Sequence, residues 1–561
     1  MTEDSAINRN FNHIALILSL TIAIAASCQH STENNPRDAG QDTGAGNEDG
    51  ASGDASADAD ADGDSDSDGD ADTDADADGD AAPDGQAMVD GGNLIWVKSA
   101  GGTSTDVGAS VAVYKNEAIY ITGYYCAAAT FGKGETNETV LESFNEGEGC
   151  DVFVARYNVD GTLTWAKMAG GIHVIHWNEG TSIATGPDGS VYVTGAFEGT
   201  AIFGEGGAGE TSIVSQGDTD AFIAKYNPDG TLQWARREGG ADHDTGKAVK
   251  VLQDGTVLVA GDNWDTAVIG AGEAAETTVP RGFFIAKYSA DGKLLWAKGN
   301  GDASNTETYG LAVLPDGSFF ITGYFISITF GKGEPTETHF ETGGEYDEDI
   351  FIAKYNSDGT LAWAKRAGGP NDNAYESDRE IGFDLSALSD KSALVTGHYL
   401  GPSVFGDIGN NQTTLEGSRA FIAKYDDNGD LGWVRGLGGS NILDYSVTFG
   451  LDRFNNDFVV TGWFDGIMTL SDNDSSDISI KSYGGGDIFF VKCNIDNACY
   501  WAKHAGSSDD DSGNDICFLP DGSFVIIGTY FRTAMFGEGE PNESSIGSVG
   551  DSDIFIARFS P

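Results

Sequence analysis

The sequence predicts an all-β fold in which one four-stranded unit occurs seven times. Three markers support this, because each recurs seven times after residue 93. The first is a tryptophan, at Trp96, Trp165, Trp234, Trp296, Trp363, Trp433 and Trp501. The second is a glycine that ends an apolar run, at Gly123, Gly195, Gly261, Gly323, Gly397, Gly462 and Gly528. The third is a FIAKY-like run that begins at Phe153, Phe222, Phe284, Phe351, Phe421, Phe489 and Phe555. Four strands per repeat of about 62 to 70 residues are typical of a propeller blade, so we predict a seven-bladed β-propeller over residues 93–561.

The stretch DAFIAKYNPDGTLQWARREGG, from Asp220 to Gly240, shows how two of the four strands are joined. Two apolar runs flank a turn that contains Pro, Asp and Gly, which predicts a β-hairpin. A variant copy places Cys493 and Cys499 at equivalent positions, where two cysteines suggest a facing pair. If they face each other, Trp234 lies opposite Ala224, a large ring beside a small side chain.

The chain begins on a Trp-type strand at residues 94–98 and ends on a FIAKY-type strand at residues 555–559. Each of these strands lacks its usual hairpin partner in sequence. We therefore predict that they pair with each other, with Trp96 near Ala557. This pairing would close the ring and remove its exposed edges.

The N-terminal residues 1–28 resemble a signal peptide. The apolar run at residues 14–27 is too short for an ordinary transmembrane span. Its end, Ala25, Ala26, Ser27 and Cys28, resembles a bacterial lipobox, in which the cysteine is lipidated after cleavage. This resemblance implies an exported lipoprotein, attached to the outer membrane or cell surface through a lipid anchor only. Cleavage by an ordinary signal peptidase, without lipidation, is the alternative.

Residues 29–92 are rich in Asp, Ala, Gly and Ser and predict a disordered acidic tether. Its DADADG and DSDSDG runs look like the first half of calcium-binding loops, but the acid expected at the twelfth position is missing. A polyacidic spacer is thus our main interpretation, with weak calcium association as the alternative. The formal net charge of the chain is −58, which argues against a nucleic-acid partner.

Cysteine usage also fits export. We predict a disulfide between Cys493 and Cys499 and another between Cys126 and Cys150, since both are plausible in an oxidising compartment. Cys517 is left over and lies in an apolar run, so we expect a buried, inert thiol.

Two charged positions recur with the FIAKY run. An aspartate precedes it in five repeats, and we expect it to cap a turn by accepting backbone N–H groups. A lysine or arginine inside it occurs in all seven repeats, and we expect it to be a blade-surface or interblade charge partner.

The motif set FG…G..D-FIAKYN.DGTL.WAK..GG resembles the SBBP family of bacterial β-propeller repeats over residues 93–561. This resemblance implies an exported, often lipid-anchored propeller. The family has no general catalytic motif to carry over.

Strand alternation predicts that the long connections and the blade-to-blade links share one loop-rich, acidic face. Varied loops on a rigid scaffold suit a binding surface; solvated loops without a ligand are the alternative. Tryptophans outside the repeat pattern either fill gaps or stack on a sugar or peptide. The predicted binding face comprises Asp106, Asp244, Asp378, Asp511, Trp177, Trp264 and Trp463.

We find no nucleophile with its base, no acid and base pair and no metal triad in the sequence, so we assign no catalytic residue and no cofactor. The close pair His173 and His176 could bind a transition metal, but metal binding stays open. The favoured hypothesis is a monomeric, non-enzymatic scaffold that binds a protein or glycan at the cell surface. A polysaccharide-active enzyme using acids on the same face, and a structural envelope protein without a small ligand, are the alternatives.

Overall fold

The computed structural model describes residues 91–144, 149–171, 178–344, 347–369, 380–399, 401–407, 410–417, 420–438, 445–470 and 478–561. The predictions of a signal peptide, of Cys28 lipidation and of an acidic tether up to residue 90 fall outside these ranges, as do Trp177, Asp378, His173 and His176. The described residues contain no helix that is long and apolar enough to cross a membrane.

The described part of the chain is built from short antiparallel strands. In chain order they are β1 (Leu94–Gly102), β2 (Asp106–Tyr114), β3 (Ala118–Cys126), β4 (Ala128–Phe131), β5 (Thr139–Glu142), β6 (Cys150–Tyr157), β7 (Leu163–Gly171), β8 (Glu179–Thr185), β9 (Val191–Phe203), β10 (Thr211–Tyr226), β11 (Leu232–Gly240), β12 (Asp244–Val251), β13 (Val257–Asn263), β14 (Ala267–Ile269), β15 (Thr277–Val279), β16 (Gly282–Tyr288), β17 (Leu294–Gly299), β18 (Gly301–Val313), β19 (Phe319–Phe330), β20 (Thr338–Glu341), β21 (Asp349–Tyr355), β22 (Leu361–Ala367), β23 (Ile381–Ala387), β24 (Ala393–His398), β25 (Ser403–Asp407), β26 (Asn410–Leu415), β27 (Ala420–Tyr425), β28 (Leu431–Leu437), β29 (Tyr445–Phe454), β30 (Asp457–Asp465), β31 (Ile467–Leu470), β32 (Ile478–Lys481), β33 (Asp487–Asn494), β34 (Cys499–Ala505), β35 (Ser512–Phe518), β36 (Phe524–Tyr530), β37 (Thr533–Phe536), β38 (Ser544–Gly547) and β39 (Asp553–Phe559).

These strands form an all-β propeller. Among the described residues, strand pairing defines the four-stranded groups β2-β3-β6-β7, β8-β9-β10-β11, β12-β13-β16-β17, β18-β19-β21-β22, β23-β24-β27-β28, β29-β30-β33-β34 and β35-β36-β39-β1. We number them as groups 1 to 7. Apolar side chains of neighbouring groups pack against each other in shared clusters.

The first and last strands pair as the sequence predicts, but the register differs by one residue. β1 is antiparallel to β39, with Val97 opposite Ala557 and Trp96 opposite Arg558. The same difference occurs inside the repeat, where Trp234 pairs with Lys225 rather than Ala224. Cys493 and Cys499 do face each other. A β-bulge next to this position shifts the register of the remaining pairs, so the register inferred from the cysteines is wrong beyond it.

In most groups the repeated tryptophan contacts the turn of the next group. The Trp165 indole N–H donates to the Pro228 carbonyl oxygen at 3.0 Å. Gly230 in the same turn has φ +84°, and a Cβ there would lie 2.9 Å from the Trp165 ring. Equivalent indole hydrogen bonds join Trp96 to Val159, Trp363 to Asp427 and Trp433 to Ile495. The packing role expected for these tryptophans is therefore correct, and the partner is the neighbouring group.

The long connections that the sequence predicts on a binding face contain FGKGE segments, at residues 131–135 and 330–334, and these begin the turns of hairpins that join neighbouring groups. Phe131 is fully buried at the end of β4, and β4 pairs with β1 of the preceding group. Glu135 accepts the Leu163 N–H at 2.6 Å and lies 2.8 Å from the Lys98 ammonium. These motifs therefore form hydrogen bonds, ion pairs and apolar contacts within the scaffold. They have a structural role, which corrects the expectation that they form a varied ligand surface.

Candidate functional site

Three aspartates predicted on the acidic face are buried at the junctions between groups. Asp106, Asp244 and Asp511 are 0%, 2% and 0% exposed. Each accepts a backbone N–H, for instance that of Gly102 to Asp106 at 2.7 Å and that of Gly240 to Asp244 at 2.6 Å. The prediction that these side chains form an exposed binding face is wrong, because they are used to hold the links between groups.

Each of these aspartates is paired with the aspartate that precedes the FIAKY strand. Asp106 stands beside Asp553, Asp244 beside Asp220 and Asp511 beside Asp487, with a glycine between the two carboxylates. The turn-capping prediction is confirmed for Asp553 and Asp220, which accept the backbone N–H groups of Val549 and Gln216. Burial raises the pKa of Asp106 to about 8.

The junction between groups 1 and 2 differs, because an amide replaces one of the two carboxylates. Asn178 occupies the place of the second acid, and its Nδ2 donates to Asp151 Oδ1 at 3.0 Å. The equivalent Oδ1 atoms of Asp220, Asp487 and Asp553 are buried without a hydrogen-bond donor. This difference shows that a neutral partner fits the same position.

Of the three tryptophans outside the repeat, the structure describes two. Trp463 is 4% exposed and packs on Gly486, so it fills a gap within its group. Trp264 is partly exposed at the end of group 3. It lines a cleft of about 50 Å³ together with Asn263, Arg281, Gly282, Asn305, Thr306 and Glu307. Trp264 is therefore the predicted face residue that the structure places in a cleft.

The inner wall of this cleft is a buried ion cluster. The Lys247 ammonium lies 3.6 Å from Glu307 and 3.9 Å from Asp262, and 5.3 Å from the centre of the Tyr309 ring. Glu307 accepts hydrogen bonds from the hydroxyls of Tyr309 and Tyr324, at 2.8 and 2.9 Å. Glu307 both lines the cleft and contacts the cluster, so the two are continuous.

The environment of the cluster raises the pKa values of both Lys247 and Asp262. Burial alone would lower the pKa of Lys247, but Glu307 and Asp262 raise it above the ordinary value. Burial raises the pKa of Asp262 well above its ordinary value, although Lys247 opposes this. The cluster behind the cleft therefore has a fixed cation, an acceptor and a carboxyl group inclined to keep its proton.

A second set of charges lies at the centre of the ring. The first strands of the groups contact one another in order, and β35 contacts β2, so they enclose a central channel. Their inner edges leave backbone N–H groups without strand partners, and three aspartates accept them. Val111, Leu451 and Phe518 donate to Asp515, Asp384 and Asp452, at 2.9, 2.9 and 2.8 Å.

Lys250 faces these three aspartates across the channel. It belongs to group 3, whereas Asp384, Asp452 and Asp515 belong to groups 5, 6 and 7. Burial would lower the pKa of Lys250, but the three carboxylates together raise it. Burial raises the pKa of Asp384 to about 7, against the opposing effect of Lys250. The three aspartates join the inner strands by accepting backbone N–H groups, and Lys250 balances part of their negative charge.

Lys247, Glu307 and Lys250 are not among the site residues predicted from the sequence. For Lys250, an alignment of the first strands of the seven groups contains a signal. At the position of Lys250 the other groups carry Ala112, Ala184, Ala312, Ser386, Asp452 and Cys517. One basic residue among small and acidic ones marks a position that departs from the repeat.

No family model matches this chain. Parts of it are similar to two curated proteins. It is 23% identical over 275 residues to the uncharacterized WD repeat-containing protein L264 of Acanthamoeba polyphaga mimivirus, covering 43% of this chain and 19% of the relative. It is 28% identical over 219 residues to the regulatory protein FlaEY of Caulobacter vibrioides, covering 37% of this chain and 21% of the relative. The matched regions therefore span about a fifth of each relative's length.

Among solved structures, the fold is similar to the periplasmic gluconolactonase PpgL of Pseudomonas aeruginosa, with 13% identity and a TM-score of 0.35 over 78% of this chain and 99% of that one. It is also similar to YCF48 bound to D1 peptide, with 10% identity and a TM-score of 0.33 over 84% of this chain and 97% of that one.

Proposed function

We propose that this chain is an exported, seven-bladed propeller of the SBBP type that serves as a non-enzymatic binding scaffold in the cell envelope. Two disulfides support export. Cys126 bonds to Cys150 across β3 and β6, and Cys493 bonds to Cys499 across β33 and β34. Structural disulfides persist in oxidising compartments and are rare in the cytosol. The lipobox-like Cys28 supports attachment of the exported protein through a lipid.

The Trp264 cleft is the site that we propose for the ligand. A partly exposed indole beside amide, guanidinium and carboxylate groups offers one apolar face and several fixed hydrogen-bonding groups. This combination suits a glycan, whose sugar rings have apolar faces and polar edges. The single observation that carries the proposal is that Trp264 is partly exposed in a cleft, while the described aspartates of the predicted face are buried.

Binding of the full chain to a panel of cell-envelope polysaccharides, followed by isothermal titration with each retained glycan, tests this function. We expect saturable binding that Trp264→Ala weakens at least about tenfold, since stacking on an aromatic ring contributes roughly 1.4 kcal/mol or more. Tyr483, an aromatic that is 40% exposed on group 6, provides the control, and Tyr483→Ala should bind normally. Absence of binding, or equal loss in both variants, would contradict the proposal and favour a structural envelope protein.

The ion cluster behind the cleft supports one alternative function, a polysaccharide-active enzyme. Asp262 and Glu307 both lie within 3.9 Å of the Lys247 ammonium, and burial raises the pKa of Asp262, as a general acid requires. Hydrolysis of the retained glycans by the wild-type chain, abolished in both Asp262→Asn and Glu307→Gln, would favour the enzyme. Binding without hydrolysis would favour the scaffold.

A further inference from the structure

Beside the Trp264 cleft, three side chains from two different segments bring their ligand atoms together. Asp242 and His243 lie in the link between β11 and β12, and Asp218 lies on β10. One ligand atom of each residue lies within 4.8 Å of those of the other two. His243 Nε2 is 3.7 Å from Asp218 Oδ2, too far for a hydrogen bond. The three side chains therefore converge on a common point.

The distance between the His243 and Asp218 ligand atoms is close to that of two ligands around one small metal ion. Two ligands that each lie about 2.1 Å from a zinc ion are roughly 3.4 Å apart at the tetrahedral angle. The 3.7 Å between His243 Nε2 and Asp218 Oδ2 needs a movement of only a few tenths of an ångström to match. An imidazole with two carboxylates also favours zinc over calcium or magnesium, because the latter prefer oxygen ligands throughout.

The imidazole is held in place before any ion arrives. The His243 ring packs edge-on against Trp264, with centroids 5.3 Å apart and an angle of 75° between the planes. The backbone N–H of Trp264 donates to the His243 carbonyl oxygen at 3.0 Å, and the backbone N–H of His243 donates to Asp242 Oδ1 at 2.9 Å. Asp242 thus has its second oxygen left for an ion. Ligands that are already ordered lose less entropy on binding.

We propose that Asp218, Asp242 and His243 bind one divalent ion of the zinc class, with water or an external ligand at the remaining position. Two carboxylates and a neutral imidazole balance the ion's double positive charge. The ion would join β10 to the link before β12. It would also lie next to Trp264, whose indole would report its arrival.

The test uses the full chain without an affinity tag, treated with a chelator and then titrated with Zn²⁺ or Co²⁺. We expect saturable 1:1 binding of Zn²⁺, quenching of tryptophan fluorescence by Co²⁺, and a visible Co²⁺ spectrum of four-coordinate type. His243→Ala and Asp218→Asn should each weaken binding at least about tenfold, because each removes a ligand of the ion. Trp264→Phe should keep the affinity and lose most of the quenching, which separates this site from glycan binding.

One control variant and two possible results decide whether this site binds the ion. His339→Ala removes a histidine on another group, which hydrogen-bonds to Thr329 at 2.9 Å, and it should leave Zn²⁺ binding unchanged. Equal affinity for Zn²⁺ in wild type, His243→Ala and Asp218→Asn would overturn the site. So would a Ca²⁺ response as strong as that to Zn²⁺, because it would indicate general association with acidic side chains.

Discussion

Asp106 and Asp553 point their carboxylates at the same glycine, at the junction where the two ends of the propeller meet. A Cβ on Gly101 would lie 2.6 Å from Asp553 Oδ1 and 3.0 Å from Asp106 Oδ2. Asp553 Oδ1 is buried without a hydrogen-bond donor. The pKa of Asp106 is raised to about 8, chiefly by burial and in part by the charge of Asp553, and burial raises the pKa of Asp553 to about 6. The charge of Lys133 lowers the pKa of Asp553 and so opposes the effect of burial. The pair thus holds a proton at pH values where isolated aspartates are ionised.

This relationship predicts that stability falls as the pH rises. The pKa of Asp106 is 3.8 in the unfolded chain and about 8 in the folded one, so between these values the folded state binds more protons. The free energy of unfolding therefore decreases from about pH 4 to about pH 8 and is level above that. Asp106→Asn should reduce this slope and be more stable at pH 8 by roughly 1–3 kcal/mol, the cost of an unsatisfied buried group. Urea denaturation at several pH values measures both effects.

Asn178 and Asp160 provide an equivalent amide and a control site for this prediction. Asn178 already donates to Asp151 in the equivalent place, which shows that an amide fits. Asp160 lies in an exposed turn, where hydrogen bonds from Thr162 lower its pKa, so Asp160→Asn should not stabilise the protein at pH 8. A slope that is unchanged in Asp106→Asn would show that this pair does not share a proton.

The repeated features of the fold could be predicted because they recur and have local causes. The turn at Asn227 to Thr231 and the facing cysteines Cys493 and Cys499 follow from short-range chemistry. The register of Trp234 could not be predicted, because a bulge adds one residue and moves every later pair. A single inserted residue leaves no signature in an alternating pattern.

The candidate site was harder to predict, since it depends on which groups are buried. Asp106 and Asp242 look alike in sequence as acids in links between blades, and both accept a backbone N–H, but only Asp106 is fully buried. Trp264 and Trp463 also look alike, yet Trp463 packs on Gly486 within its group. Burial of this kind results from contacts between distant repeats, which the spacing within one repeat does not contain.

Lys250 should stabilise the folded ring by balancing the channel aspartates. Lys250→Met removes the cation that faces the partly buried Asp384, Asp452 and Asp515, so we expect a loss of about 1 kcal/mol or more, greater than for an exposed ion pair. The loss should be greater at pH 8 than at pH 5, because protonated carboxyls repel each other less. Thermal and urea denaturation at both pH values test this.

The control for Lys250 is an ion pair at the surface. Lys293 lies 2.6 Å from Asp291, and both side chains are well exposed. Lys293→Met should change stability little, as exposed pairs do. Adding Asp384→Asn to Lys250→Met should recover part of the lost stability. If Lys250→Met were as stable as wild type at pH 8, the channel charges would not be coupled.

Gly230 should be essential for packing between groups as well as for the turn. Gly230→Ala places a Cβ 2.9 Å from the Trp165 ring at φ +84°. Gly206 also has a positive φ, +69°, but nothing lies within 4 Å of its Cβ position. We expect Gly206→Ala to cost about 1 kcal/mol from backbone strain alone, and Gly230→Ala to cost about 1–3 kcal/mol more from overpacking. Equal losses in the two variants would show that contact with Trp165 is unimportant.

The two disulfides should contribute unequally, because they close loops of different length. Cys126 and Cys150 are 24 residues apart, and Cys493 and Cys499 are 6 apart. The chain-entropy relation gives about 3.5 kcal/mol for the longer loop and about 2.4 kcal/mol for the shorter. Urea denaturation of Cys126→Ser with Cys150→Ser, and of Cys493→Ser with Cys499→Ser, should show the larger loss in the first variant. The partly buried, free Cys517 serves as the control, since Cys517→Ser removes no cross-link. A larger loss from the shorter loop would mean that strain or packing, rather than loop entropy, sets the contribution of these bonds.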